Sequence, residues 1–309
     1  LLFKNSLPVP LLQHSPVLLS EVLEQLPLET GNTVIDATLG LGGHTKKMAE
    51  KIGPTGTLIA FEWDERNRAL AQKHLSGLTN VTIIPTGFSC LLKECQKRNI
   101  MGVDAILFDF GISSAHLDDA KRGFSYRLSG PLDMRMNTEK PKTAADFISS
   151  SSETELADIF FHLGEERRSR QIAKKIVELR KEKPITTTNE LFSIIETVCP
   201  KNPKKTASRV FQALRIAVNQ ELEEIASAIP QSFEILNPGG RIAVISFHSL
   251  EDRLIKTLFR EKEKKEKIGK QKVWQRVNKK VIIPQQKEME ENPRSRSAKL
   301  RIIEKISQS

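Results

Sequence analysis

Val34-Ile35-Asp36-Ala37-Thr38-Leu39-Gly40-Leu41-Gly42-Gly43-His44-Thr45 is the stretch from which the fold can be read. It starts as a short apolar strand, ends that strand on a carboxylate, turns through closely spaced glycines and opens a helix near Thr45. Glycines at such a turn permit backbone angles closed to other residues and let a ligand lie against the main chain. The helix that follows aims its free amides and positive dipole end at whatever fills the turn. A nucleotide-type site is the functional reading. A turn that only packs a helix onto a strand is the plainer one, and this stretch alone leaves both open.

Outward from the turn the same rhythm repeats. The apolar run Thr57-Leu58-Ile59-Ala60-Phe61 closes on a second acid, Glu62. Val81-Thr82-Ile83-Ile84 reads as a third strand, followed by Gly87-Phe88-Ser89 and a helix through Lys97. Val103-Asp104-Ala105-Ile106-Leu107-Phe108-Asp109 is a fourth, mostly apolar as expected of a strand covered on both faces. The spacing predicts a helix over 14–26 ahead of the first strand, one ending at Ile52 before Gly53-Pro54, and one over 65–75. Alternating strands and helices with short connections mean an α/β fold, a Rossmann-like parallel sheet with helices on both sides. Ligands of such sheets lie beyond the carboxyl ends of the strands, where Asp36, Glu62, Phe88 and Asp109 all fall.

The choice of nucleotide follows from the acids. A dinucleotide turn wants a third glycine three residues after the second; counted from Gly40 and Gly42 that place is Thr45, a poor fit. No phosphate-cradling lysine is present. Asp36 suits a cationic amino-acid portion, and Glu62, some twenty residues beyond the glycines, suits two ribose hydroxyls. S-adenosylmethionine fits this pattern better than NAD or ATP.

After Asp109 the rhythm breaks. The segment 111–137 is polar and turn-rich with little evident periodicity, and a loop of that length inside a compact domain is usually functional or disordered. Helices without strands follow, over 153–163, 165–183, 189–198 and a long one over 205–228. The expected division is a discontinuous sheet domain, 14–117 with 220–309, interrupted by a helical substrate-recognition domain, 118–219. The sheet resumes at Arg241-Ile242-Ala243-Val244-Ile245-Ser246, a helix over 250–262 follows, and 262–280 is a lysine-rich stretch expected to be mobile. Val281-Ile282-Ile283 and Leu300-Arg301-Ile302-Ile303 are expected to pair as the last strands.

Of the net charge of +10, the segment 251–309 holds +9, with 18 of the 48 basic and 9 of the 38 acidic residues. A polyanion such as RNA is what a segment of that charge would touch; a solvated tail is the bland alternative. No run of about 18 apolar residues spans a membrane. Three cysteines, Cys90, Cys95 and Cys199, make neither a disulfide framework nor a zinc site, so a reducing, cytoplasmic setting is expected. The leading residues 1–13 carry only Lys4 and two prolines and lack a small-residue cleavage site, which speaks against a signal peptide.

The runs DATLGLGGHT (36–45), DFGISS (109–114), RGFSYRLSGPLDMRMN (122–137), FQALRIAVNQEL (211–222), ISFHSLEDR (245–253) and NPRSRSAKLR (292–301) resemble the bacterial small-subunit ribosomal RNA cytosine-N4 methyltransferase family. The resemblance implies an S-adenosyl-L-methionine-dependent enzyme that methylates the exocyclic amine of a cytidine in the decoding region of 16S rRNA. Its partner would then be the small ribosomal subunit, and it would work as a monomer or homodimer. Carried over position by position, cofactor contacts fall on Gly42, Gly43, His44, Glu62, Phe88, Asp109 and His116. Two positions depart from the family pattern: Glu62 stands where an aspartate is usual, and His116 where a glutamine is.

For the chemistry, methyl transfer from a sulfonium is an in-line displacement in which positioning matters more than acid catalysis. The cytosine amine has a delocalised lone pair, so acceptors against its N–H groups would favour the nucleophilic form. Amino methyltransferases often place an Asp/Asn-Pro-Pro-aromatic turn after the fourth strand; here Asp109-Phe110-Gly111-Ile112 stands there, making Asp109 the catalytic candidate. Arg122, Asp133 and Arg135 either shape an RNA pocket or pair with one another to hold their loop. His248, just past a strand end, is a substrate candidate, with a hydrogen-bonded structural histidine as the commoner case. With no histidine pair at ligand spacing, no metal is expected. The competing readings are a non-catalytic RNA-binding assembly factor that keeps the fold, and a DNA amino methyltransferase.

Overall fold

The structure is a computed structural model that describes residues 16–268 and 271–307. The leading stretch 1–13, the expected helix start at His14, and residues 269–270 of the lysine-rich stretch lie outside the described residues. Two compact units divide the chain: Leu1–Gly111 with Leu222–Ser309, and Ile112–Glu221.

The first unit is built on a seven-stranded sheet. Its strands are β1 (Thr33–Asp36), β2 (Thr57–Phe61), β3 (Val81–Ile84), β4 (Val103–Asp109), β5 (Leu236–Ser246), β6 (Trp274–Arg276) and β7 (Lys299–Lys305). The spatial order is β3-β2-β1-β4-β5-β7-β6. The first five are parallel; β7 runs antiparallel to both β5 and β6. Strand order reverses between β1 and β4, so the crevice beyond their carboxyl ends is the place such a sheet offers a ligand. Successive residues of a strand face opposite sides. Ile35, Ile59, Phe61 and Phe108 therefore join Phe233 and Phe259 on one face, while Val34, Leu58, Ala60 and Leu107 join Leu18, Val22, Met48 and Ile52 on the other. Helices α1 (Leu19–Gln25), α2 (Gly43–Ile52), α3 (Glu65–His74), α4 (Leu91–Gln96) and, in the second part of the unit, Ser249–Lys265 complete the layers.

The end of the sheet differs from expectation. Val281-Ile282-Ile283 makes only an isolated bridge, Ile282 to Leu300, and the edge strand is β6, inside the stretch expected to be mobile. The reason is Trp274, 1% exposed, whose ring packs on Phe233 at 5.1 Å and beneath the Lys262 and Lys305 ammonium groups. Its indole N–H donates to Glu266 Oε2 at 2.7 Å. β5 also starts earlier than Arg241: Val103 pairs with Leu236 and Ala105 with Arg241, so 237–240 bulge out, turning through Gly239 at φ +81°.

The second unit is helical, with α5 (Ser114–Asp118), α6 (Ala144–Ser150), α7 (Glu153–Asp158) running into a π turn, α8 (Ser169–Leu179), α9 (Thr188–Val198) and α10 (Pro203–Asn219). Reciprocal capping by Thr143 with Asp146, Ser152 with Glu155 and Thr187 with Glu190 fixes three of the starts. α8 begins later than expected because Glu165 is left-handed (φ +51°). The long helix expected over 205–228 is two: Gln220, also left-handed (φ +56°), ends α10, and α11 (Glu221–Ile235) starts anew. The segment 111–137 is ordered, burying Phe124, Leu132, Met134 and Met136. Leu132-Asp133-Met134-Arg135-Met136 alternates buried with part-exposed side chains, the period-two signal that sequence inspection passed over.

Candidate active site

β1 and β4 carry their last residues, Asp36 and Asp109, to the same edge of the sheet, and two threonines tie them to the glycine turn. The Asp109 backbone N–H donates to Thr38 Oγ1 at 2.6 Å. The Thr45 hydroxyl, at the start of α2, donates to Asp36 Oδ2 at 2.6 Å, and the Thr38 N–H to Asp36 Oδ1 at 3.1 Å. On the other flank Leu39 N–H donates to the Phe61 carbonyl at 3.0 Å. The turn is thereby stapled across three neighbouring strands, and it passes through left-handed angles at Gly40 (φ +53°) and Gly42 (φ +85°) that non-glycine residues adopt only at a cost. Gly43 has a different reason to lack a side chain: a Cβ there would lie 2.5 Å from Pro16 Cγ, so helix packing, as well as any ligand, requires it.

Glu62 is buried, with Oε1 accepting from the Asp64 N–H at 2.9 Å and Oε2 from the Asn67 amide at 3.2 Å. Each carboxylate oxygen has a second lone pair, which leaves capacity for the two hydroxyls of a ribose. Phe88 is half-buried and packs on Phe108 and Phe110 at 5.7 and 5.8 Å, so it belongs to the apolar core as well as to the rim. Trp63, which sequence reading overlooked, sits 6.5 Å from Phe88 and would touch a side chain at Gly87. Its signal was adjacency to Glu62 on a strand end.

The electrostatics favour a cationic guest. Burial raises the Asp36 carboxyl to about 6 and Glu62 to about 8. Asp109 is pushed well above the carboxylate range, first by burial and then by the charges of Asp36 and Glu251. Its Oδ1 is shut from solvent and has no hydrogen-bond partner among the described residues. His44 is held down to about 4 by burial and is neutral. Its Nε2 lies 3.0 Å from the Val17 carbonyl, which can only accept, so the ring proton sits there and Nδ1 turns a lone pair toward Asp109 Oδ2 at 3.5 Å. The His44–Asp109 contact is thus no ion pair: it is repulsive while both are unprotonated and attractive once Asp109 holds a proton. No lysine or arginine among the described residues pairs with any of the three acids.

His248 follows β5, whose Ile245 pairs with Asp109. His248 caps the helix Ser249–Lys265, receiving the Glu251 N–H at 3.4 Å, while Glu251 takes the N–H groups of Phe247 and His248. His248 Nε2 also lies 3.0 Å from Glu251 Oε1. In the second unit, His116 closes the α5 cap by accepting from the Ser113 N–H at 3.2 Å, and its ring packs on Phe124. Arg122 donates to the carbonyls of Arg135 and Met136, and Arg135 grips Asp133 with two nitrogens while donating to the carbonyls of Thr138 and Lys140. Of the two uses open to Arg122, Asp133 and Arg135, holding their loop is the one these bonds perform.

The profile of the MraW methylase family matches residues 11–306. The chain belongs to the MraW methylase family. It is a methyltransferase with a Rossmann-like sheet, and its family's relatives align along nearly all of its length. The protein named ribosomal RNA small subunit methyltransferase H of Caldicellulosiruptor saccharolyticus is 44% identical over 306 residues, spanning 95% of this chain and 99% of the relative. That of Chromobacterium violaceum, with the same name, is 39% identical over 312 residues, spanning 96% and 97%. A solved structure described as a putative rRNA-methylase from Clostridium thermocellum aligns with a TM-score of 0.45 at 16% identity, over 93% of this chain and 94% of the other.

Proposed function

We propose that this MraW-family methylase transfers a methyl group from S-adenosyl-L-methionine to the N4 amine of a cytidine in the decoding region of 16S rRNA. The observation that carries the reading is the meeting of Asp36, which is buried, and Asp109, which is half-buried, at the stapled glycine turn, with no lysine or arginine among the described residues paired to either. The names of the full-length relatives support small-subunit ribosomal RNA as the substrate class.

The residues present fit the donor. When bound, it supplies an electrophilic methyl group on a sulfonium. Asp36 and Asp109 offset the positive charge of the amino-acid portion, and Glu62 accepts from the ribose hydroxyls. The Asp109 carboxylate accepts from an N–H group of the acceptor amine and takes its proton as the nitrogen becomes nucleophilic. His44, its proton fixed on Nε2 by Val17, can accept at Nδ1 from the other oxygen of that carboxyl once the carboxyl holds the proton. The helical unit takes the role of substrate recognition, and the cytoplasm, where small subunits are assembled, is the place of action. A target base must leave its stack to reach such a rim.

The test is incubation with labelled donor and unmodified small subunits, followed by nucleoside analysis. N4-methylcytidine carrying the label is the expected product. Donor binding by calorimetry with no label in any nucleoside would favour an assembly factor that keeps the fold.

A further inference from the structure

The helix Ser249–Lys265 has a segregated charge pattern. Three of its four acids are used on the inner side: Glu251 accepts from the N–H groups of Phe247 and His248, Asp252 accepts from Arg301 at 2.7 Å and Lys299 at 3.3 Å, and Glu263 pairs with Arg276 at 2.7 Å and Lys272 at 3.4 Å. Arg253, Lys256, Arg260 and Lys264, at steps of three, four and four, lie along one exposed side, over roughly 16 Å at the α-helical rise. A shallow depression follows this side, lined by those four, Thr257 and Glu261. Glu261 is its one acid and pairs with Lys265 at 2.8 Å. Among the described residues no acid engages the head groups of Lys256, Arg260 or Lys264.

The stripe also has a direction. It opens just past Ser246, the end of β5, whose Ile245 pairs with Asp109, and Glu251 in its first turn lies close enough to push the Asp109 carboxyl upward. A chain whose base occupied the rim beside Asp109 would have the stripe leading away from it.

We propose that this face of the helix is a track for the phosphate backbone of the RNA strand whose base enters the site. The proposal rests on the RNA-methyltransferase reading above and narrows the contact surface from the basic segment as a whole to one helix side. Cations here neutralise phosphates and release counterions, a contribution that carries no sequence information.

The test compares wild-type protein with the triple variant Lys256→Gln, Arg260→Gln, Lys264→Gln and with Glu261→Gln, each binding a 16S RNA fragment across a salt series. Loss of three phosphate contacts should weaken binding by about ten- to a hundredfold at moderate salt and flatten the slope of log affinity against log salt by about 2. Glu261→Gln, which removes the acid from the stripe, should tighten binding. Equal thermal midpoints establish that the variants fold alike. Unchanged affinity and slope in both variants would overturn the track, as would variants that lose retention on vesicles of anionic phospholipid while binding RNA as wild type does. Methyl transfer to subunits is followed in parallel: a wild type that binds RNA through the stripe yet forms no N4-methylcytidine would sink the functional reading and leave the track standing.

Discussion

Asp109 is the residue on which most of the proposed chemistry converges. Its main chain is tied to the glycine turn by Thr38, one oxygen faces His44, and the other is buried and unpartnered. Asp109→Asn keeps the shape and removes the charge, and is expected to weaken donor binding by about 1.5–3 kcal/mol, the size of a hydrogen bond to a charged group, and to slow single-turnover methylation. Calorimetry and rapid quench check the two; unchanged values would remove Asp109 from the machinery. Glu62 predicts a pH dependence. Its carboxyl stands at about 8 in the fold against 4.5 ordinarily, and Asp36 at about 6 against 3.8. The folded chain then holds protons that the unfolded chain releases, so the contribution of these two groups to the stability of the donor-free protein is full below about pH 4 and is lost as pH rises through 6 and on to 8. Glu62→Gln should flatten the upper part of that fall in thermal melts recorded from pH 5 to 8. Donor affinity should move the opposite way, rising with pH and releasing protons on binding, which calorimetry in buffers of different ionisation enthalpy would detect.

Among the elements, the segment 111–137 shows how a stretch with little visible regularity becomes fixed. Asn219, fully buried at the end of α10, accepts from the Met136 N–H and donates to the Met134 carbonyl, both at 2.8 Å. Asn219→Ala would leave two buried backbone groups unpaired, at an expected cost of about 2–4 kcal/mol. Urea unfolding measures the loss, and proteolysis within 122–143 should speed up while the sheet unit's melting is little changed. The regular elements of the sheet were legible because their signals are local: apolar runs ending on Asp36, Glu62 and Asp109, and stops such as Gly53-Pro54. The break at Gln220 was not, since a left-handed glutamine has no composition signal, and neither was β6, whose edge position depends on a tryptophan finding Phe233, Glu266 and two lysines.

At the scale of the whole molecule, charge is the feature that reaches beyond the site. The +9 carried by 251–309 predicts that affinity for small-subunit RNA falls steeply with added salt, with a log–log slope of about −2 or steeper, measurable by filter binding between 50 and 300 mM salt. A flat response would mean that the basic segment makes no phosphate contacts. Yet the segment is not a uniform tail: Arg276, Lys299 and Arg301 are spent on Glu263 and Asp252, and Lys262 and Lys305 lie over Trp274, so the usable charge is a subset that only packing selects.

The sequence by itself determined the α/β alternation, the strand ends on which the acids sit and the sign of the charge in the last fifth of the chain, because each depends on residues adjacent along the chain or on simple counting. Tertiary structure alone decided that Thr38 reaches Asp109 across 71 residues, that Asn219 holds a loop 83 residues upstream, that Gly43 must clear Pro16, and which cations remain outward. These are pairings between distant residues, and a hydrogen bond or a close approach exists only once the fold has brought both partners to the same place.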